Sequence, residues 1–235
     1  AGNVVWTTTM DGWSSYYPSP CGEYVVCPPW PTMVPPAFFG SAGFLNRDFV
    51  LDRSSWKKLG WPGNRSVDPI VFSDDCSLVA VGLQGDVVRG LTARVALLDR
   101  RGRLIRYLDS DGCALGTMLY TSGGSRLLVS GLAAAPTYDS VVQMFDTVSG
   151  REVWKRVLPR GTNHLIQGPG GDAVICAGGI HNQVFCLDSS TGGERWRFTH
   201  PDPQAKYSKL LVTGGRIVAI TGHPARGIPE EVLVF

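Results

Sequence analysis

Short apolar runs that end in aspartate recur along the chain, and each is followed by a turn and a second run carrying an aromatic residue. Val142-Gln143-Met144-Phe145-Asp146 leads to Gly150 and Trp154, and Val184-Phe185-Cys186-Leu187-Asp188 leads to Gly192 and Trp196. In both, glycine follows aspartate by four residues and tryptophan by eight. Val95-Ala96-Leu97-Leu98-Asp99 leads to Gly102 and Tyr107 with a turn one residue shorter, and Phe49-Val50-Leu51-Asp52 leads to Trp56 and Leu59 without the glycine. Each run reads as an alternating, β-rich strand. A second pattern precedes each aspartate, in which a tight turn feeds a hydrophobic strand. The turns are Ser19-Pro20-Cys21-Gly22, Ser73-Asp74-Asp75-Cys76, Ser122-Gly123-Gly124, Pro169-Gly170-Gly171 and Thr213-Gly214-Gly215. Glycine, aspartate and serine make hairpin turns because they tolerate positive φ or bond to their own backbone.

The aspartates at 52, 99, 146 and 188 are spaced by 47, 47 and 42 residues. That period suits a unit of four antiparallel strands, here called a to d from the inside outward. The apolar-Asp-turn-Gly-x-x-x-Trp element resembles the repeat of the quinoprotein (PQQ-like) β-propellers. The serine-aspartate/glycine turn resembles that repeat and the WD-repeat-like one alike. The resemblance implies an all-β fold, and the five tight turns predict a five-bladed β-propeller forming one domain over 1–235. The blades are expected at about 10–60, 61–109, 110–158, 159–199 and 200–235 plus 1–9. Gly2-Asn3-Val4-Val5-Trp6 repeats the spacing of Gly150 to Trp154, and Val232-Leu233-Val234-Phe235 repeats the run before Asp188. The last blade is therefore expected to be closed by the N-terminal strand, which removes open sheet edges. The alternative is a fragment of a larger PQQ-like propeller.

Composition narrows the function classes. The 235 residues carry 22 basic and 20 acidic side chains, a net charge of +2, so no global field argues for nucleic acid. No apolar run reaches the length of a membrane span. Of six cysteines, Cys27, Cys176 and Cys186 lie inside apolar runs and read as buried thiols, and no CxxC pair suggests zinc. Nucleophile elbow, Walker loop, HExxH and EF-hand patterns are all lacking, and no adjacent cysteine pair matches the PQQ dehydrogenases, so no cofactor and no metal is assigned.

In such a unit the a–b and c–d turns share one face, and the b–c and d–a connections share the other. The first set is short and stereotyped, whereas the second is longer and irregular, which is where binding usually sits. Candidate residues on that loop-rich face are Trp30, Met33, Phe38 and Phe39, from the apolar proline-rich stretch Pro28–Phe39, together with His181 and His223. The prolines exclude that stretch from a central strand. The reading is a non-enzymatic module that binds another protein or a glycan. The alternative is a carbohydrate-binding or glycoside-hydrolysing propeller, with Trp13, Trp30 and Trp61 to stack on sugars and Asp11, Asp68 and Asp111 as carboxylates.

Overall fold

A computed structural model describes residues 17–18, 24–27, 37–40, 67–85, 92–100, 103–134, 136–159, 161–178, 181–223 and 228–235. These residues form five antiparallel sheets, each a meander in chain order. The first holds β1 (Tyr17–Pro18), β2 (Tyr24–Cys27) and β3 (Ala37–Gly40). The second holds β4 (Val67–Phe72), β5 (Leu78–Leu83), β6 (Arg94–Asp99) and β7 (Leu104–Asp109). The third holds β8 (Ala114–Thr121), β9 (Arg126–Leu132), β10 (Ser140–Asp146) and β11 (Glu152–Leu158). The fourth holds β12 (Thr162–Gln167), β13 (Ala173–Gly178), β14 (Gln183–Asp188) and β15 (Glu194–Thr199). The fifth holds β16 (Tyr207–Thr213), β17 (Arg216–His223) and β18 (Ile228–Val234). The first strands β4, β8, β12 and β16 stand side by side in series, as the inner strands of successive propeller blades do.

Strand alternation explains why the runs are apolar throughout. In β9, Leu127 and Val129 face a core shared with the second sheet, while Leu128 faces a core shared with the fourth. In β13, Val174 and Cys176 look back toward the third sheet, while Ala173, Ile175 and Ala177 look forward to the fifth. Successive side chains point to opposite faces of a strand, and here both faces are covered by neighbouring sheets. The same alternation separates Cys176 from Cys186. Cys176 pairs with Phe185 and Ile175 with Cys186, so the two thiols sit in different cores. Burial pushes the Cys176 thiol far above its ordinary pKa. The reading of cysteines as thiols does not extend to Cys76, which is disulfide-bonded.

Local chemistry closes the turns as the sequence suggests. The Asp188 carboxylate accepts the backbone N–H and hydroxyl of Ser190 and the N–H of Thr191, while Gly192 N–H returns to the Asp188 carbonyl. Gly192 sits at φ +68°, where a side chain is strained. Asp146 repeats the arrangement with Ser149 and Gly150. In the second sheet the Asp75 carboxylate accepts from Ser73 Oγ and from Ser77 N–H and Oγ, which holds Cys76 at φ +55° without a glycine.

The aromatic at the end of the repeat works across blades. Trp154 is buried, its indole N–H donates to the Ser189 carbonyl at 2.9 Å, and its ring lies over Gly192 of the next sheet. In the second sheet the register corrects the expected match. Trp154 pairs with Met144 and Trp196 with Cys186, each two residues before the aspartate, and the residue opposite the corresponding Leu97 is Arg106. Arg106 lies over Gly150 as Trp154 lies over Gly192. Tyr107, the residue expected there, pairs with Ala96 instead and sits beneath the Arg94 guanidinium. The strand keeps its distance from the glycine and not from the aspartate, so shortening the turn moves the station back by one residue.

The proline-rich stretch runs into a strand at its end, where Ala37–Gly40 pairs with β2 over Tyr24–Cys27 at the edge of the described sheet. The last proline is Pro36, and from Ala37 onward every residue has an N–H to give the ladder. The N-terminal strand expected to close the ring, residues 1–9, and the run ending at Asp52 lie outside the described residues.

Candidate binding face

The a–b and c–d turns do share a face. Thr147 N–H donates to the Ser125 carbonyl and its hydroxyl to the Gly124 carbonyl, joining the two turns of the third sheet. In the fourth sheet Ser189 N–H donates to the Asp172 carbonyl, and Arg195 bridges Asp172 and Asp188, both at 2.7 Å. The Ser190 hydroxyl and the Arg195 guanidinium hold the Asp188 carboxyl well below the usual carboxylate range. Turn donors and acceptors on this face are thus consumed by one another, and the face is a set of repeated staples.

The opposite face receives the d–a connections, and there the inner strands are irregular at one shared position. Each carries a β-bulge near its first residues: between Val67 and Ile70, Leu115 and Met118, Thr162 and His164, and Tyr207 and Lys209. Alignment on the adjacent strands puts Asp68-Pro69, Gly116-Thr117, Asn163-His164 and Ser208-Lys209 at equivalent stations. Bulges bend a strand and re-aim what it carries, and they concentrate beside functional sites. In the third sheet the buried Ser130 repairs the broken ladder, its Oγ accepting Thr117 N–H and donating to the Thr117 carbonyl. In the second sheet Pro69 needs no such repair because it has no N–H. Burial lowers the His164 pKa, opposed by a hydrogen bond to the Tyr207 backbone that ties two inner strands together. The four pairs, each with at least one polar residue in its sequence, are here called the polar collar, and their bulges lie at the end of the hub where the d–a connections enter. Hydrophobic periodicity gave no sign of it; the signal was a polar residue, Asp68, Thr117, His164 or Ser208, five positions before each of these four tight turns.

Around the collar the connections are stitched by side chains. Gln143, fully buried in β10, accepts from Ser110 Oγ and Asp111 N–H and donates to the Glu152 carboxylate. Asp111 pairs with Lys155 and holds that ammonium above its ordinary pKa. His200 accepts Asp202 N–H at Nδ1, so its Nε2 carries a proton and donates to Glu231. Gln84 makes two bonds to the Leu115 backbone.

His181 is one of these stitches. Its Nδ1 accepts Gln183 N–H at 3.2 Å, so Nε2 carries the proton and donates to Thr162 Oγ1 at 2.8 Å, and that hydroxyl donates to the Pro159 carbonyl. The ring also packs on Gly178, where a Cβ would come within 2.2 Å of it, and edge-on to Phe185. Burial lowers its pKa. Both nitrogens are committed inside the chain. His223 ends β17 opposite Ile228, and Phe38 and Phe39 lie within β3. Trp30 and Met33 lie outside the described residues, as do Trp13, Trp61 and Asp11. Among the described residues no three His, Cys, Asp or Glu side chains converge to hold a metal. No helix among them is long and apolar enough to cross a membrane.

Residues 138–227 match the family described as outer membrane protein assembly factor BamB. No curated protein matches the sequence. Among solved structures, hydrazine synthase from Kuenenia stuttgartiensis superposes with a TM-score of 0.68 at 13% identity, over 99% of this chain and 66% of that one. At that identity the likeness is one of fold, and this chain spans less than two thirds of the neighbour's length.

Proposed function

We propose that this chain, a β-propeller built of PQQ-like repeats, is a non-enzymatic binding module whose partner is another protein and whose working surface is the face bearing the polar collar. The observation that carries the reading is the difference between the two faces. One is a set of near-identical turns whose polar groups satisfy each other. The other combines bulged inner strands with connections of unequal length, so it differs from blade to blade and can be specific. The match to a family described by its part in assembling other proteins favours a protein partner over a glycan.

Photo-crosslinking separates the faces. A benzophenone amino acid is placed at the exposed Lys209, Thr137 or Asp202 on the collar side, and at Val148, Thr191 or Asp74 on the turn side. Crosslinks to a discrete protein from the collar-side positions alone are the expected result. Crosslinks confined to the turn side, or none from either face in the producing cell, would overturn the assignment.

A further inference from the structure

Cys76 is disulfide-bonded and 5% exposed, although Asp74, Asp75 and Ser77 around it are exposed. Cys113, Cys176 and Cys186 are free thiols, which leaves Cys21 and Cys27 as partners within the chain. Register shows where the Cys76 side chain is aimed. Phe72 pairs with Val79 and Tyr120 with Leu127, so the turns between them, 73–78 and 121–126, match residue for residue and Cys76 stands where Gly124 stands. Both have positive φ, +55° and +88°. At Gly124 a Cβ would point back at the preceding sheet, 3.0 Å from Ser73 Cβ. In the first sheet Pro18 pairs with Val25 across residues 19–24, a turn of the same length that also opens on serine. Ser19 is therefore the counterpart of Ser73, Cys21 of Asp75 and Gly22 of Cys76. The Asp75 carboxylate accepts Ser73 Oγ at 2.7 Å, so a side chain at the Asp75 station reaches the serine that the next sheet's turn faces. Cys27 fits less well. It ends β2, three residues beyond Tyr24 and roughly 10 Å up the strand from the turn, whereas a disulfide spans at most about 7 Å between Cα atoms.

We propose that Cys76 is bridged to Cys21, a covalent clasp between the tight turns of the first and second sheets on the face opposite the collar. Cys21 lies outside the described residues and is assigned by its station in the repeat. The clasp occupies the point at which the next interface sets Gly124 against Ser73. It forms by two exchanges with a disulfide oxidant such as oxidised glutathione. One cysteine thiolate attacks the oxidant and displaces a glutathione thiolate, and the other cysteine thiolate attacks the mixed disulfide and displaces the second. Two cysteine thiols are oxidised, one glutathione disulfide is reduced, and the two protons end on the two glutathione thiols.

The test is peptide mapping of the protein equilibrated in a glutathione redox buffer, denatured with N-ethylmaleimide at mildly acidic pH and digested without reductant. Trypsin alone leaves Cys21 and Cys27 on one peptide, because the first basic residue is Arg47, so a glutamate-specific protease is added to cut after Glu23. The expected result is peptide 1–23 joined to peptide 66–89, with Cys27 carrying maleimide on peptide 24–47. Peptide 24–47 joined to 66–89 would overturn the assignment, as would maleimide on Cys76 or a Cys76–Cys76 link between two chains. Two variants check the pairing independently of how well either folds, since labelling is read in denaturant. Cys21→Ser should expose Cys76 to full maleimide labelling, and Cys27→Ser should leave it unlabelled. The reverse pattern would refute the Cys21 bridge.

Discussion

Trp154 and Gly192 belong to different blades, and their contact allows a direct test of how the repeat holds the sheets together. The Trp154 side chain is 7% exposed. Removing a buried tryptophan ring and its hydrogen bond to Ser189 costs about 4 kcal/mol in Trp154→Ala. Gly192→Ala carries two penalties. A residue with a Cβ at φ +68° loses roughly 1 kcal/mol, and the new methyl lies 2.7 Å from the indole, which adds about 2 kcal/mol of overpacking. If the changes were independent, the double variant would lose about 7 kcal/mol. With the ring gone the methyl has room, only the backbone penalty remains, and the double variant should lose about 5 kcal/mol. The cycle thus has a coupling of about 2 kcal/mol in the relieving direction. Urea unfolding followed by far-UV circular dichroism measures it, provided the four proteins share one m-value. Additivity within about 0.5 kcal/mol would refute the claim that this ring is seated on this turn.

Arg106 occupies the tryptophan station over Gly150 with its Nε buried and lacking a hydrogen bond. Arg106→Trp is therefore expected to raise stability by about 1 kcal/mol in the same assay, and a loss of that size would contradict the register argument. Asp188 has its folded pKa depressed, so its stabilisation is present above the ordinary carboxylate pKa and is lost as pH falls through the folded value. Asp188→Asn should therefore weaken the protein at neutral pH, with the difference from the parent narrowing below about pH 4, as read from urea midpoints across pH. His164 and His181 have folded pKa values lowered by burial, so they favour folding above the ordinary histidine pKa and oppose it as pH falls below about 6.5. Their ring proton resonances should titrate below that value, and a normal titration would place them in water. Cys76 is disulfide-bonded, and one bridge removes two of the six cysteines. The denatured, unreduced chain should then take up four maleimide labels and Cys76→Ser five, whereas six in the parent would disprove the bridge.

The sequence by itself determined whatever depends on neighbours along the chain. Asp146 and Asp188 close their turns on residues two to four positions away, so aspartate, glycine and their spacing could be read directly. The division into two faces followed from the same local rule, because alternate connections of a meander fall on alternate ends. The apolar runs were legible as strands, whereas the covering of both their faces in the third and fourth sheets came from the neighbouring sheets. Tertiary structure decided everything that depends on what lies across a gap. Tyr107 and Arg106 are equally plausible occupants of one station when only spacing from Asp99 is counted, and pairing with Leu97 selects Arg106. His181 read as a loop histidine open to a ligand, but Thr162, Gln183 and Gly178 surround it from segments that meet only in the folded sheet. The polar collar depends on bulges that only the pairing of each inner strand with its neighbour reveals. The exposure of Val232 could not be read from its identity, since Val95, Val142 and Val184 are fully buried at the same register in the blades before it. A strand's sequence states which faces it can bury, and only the neighbouring sheet decides which of them are buried.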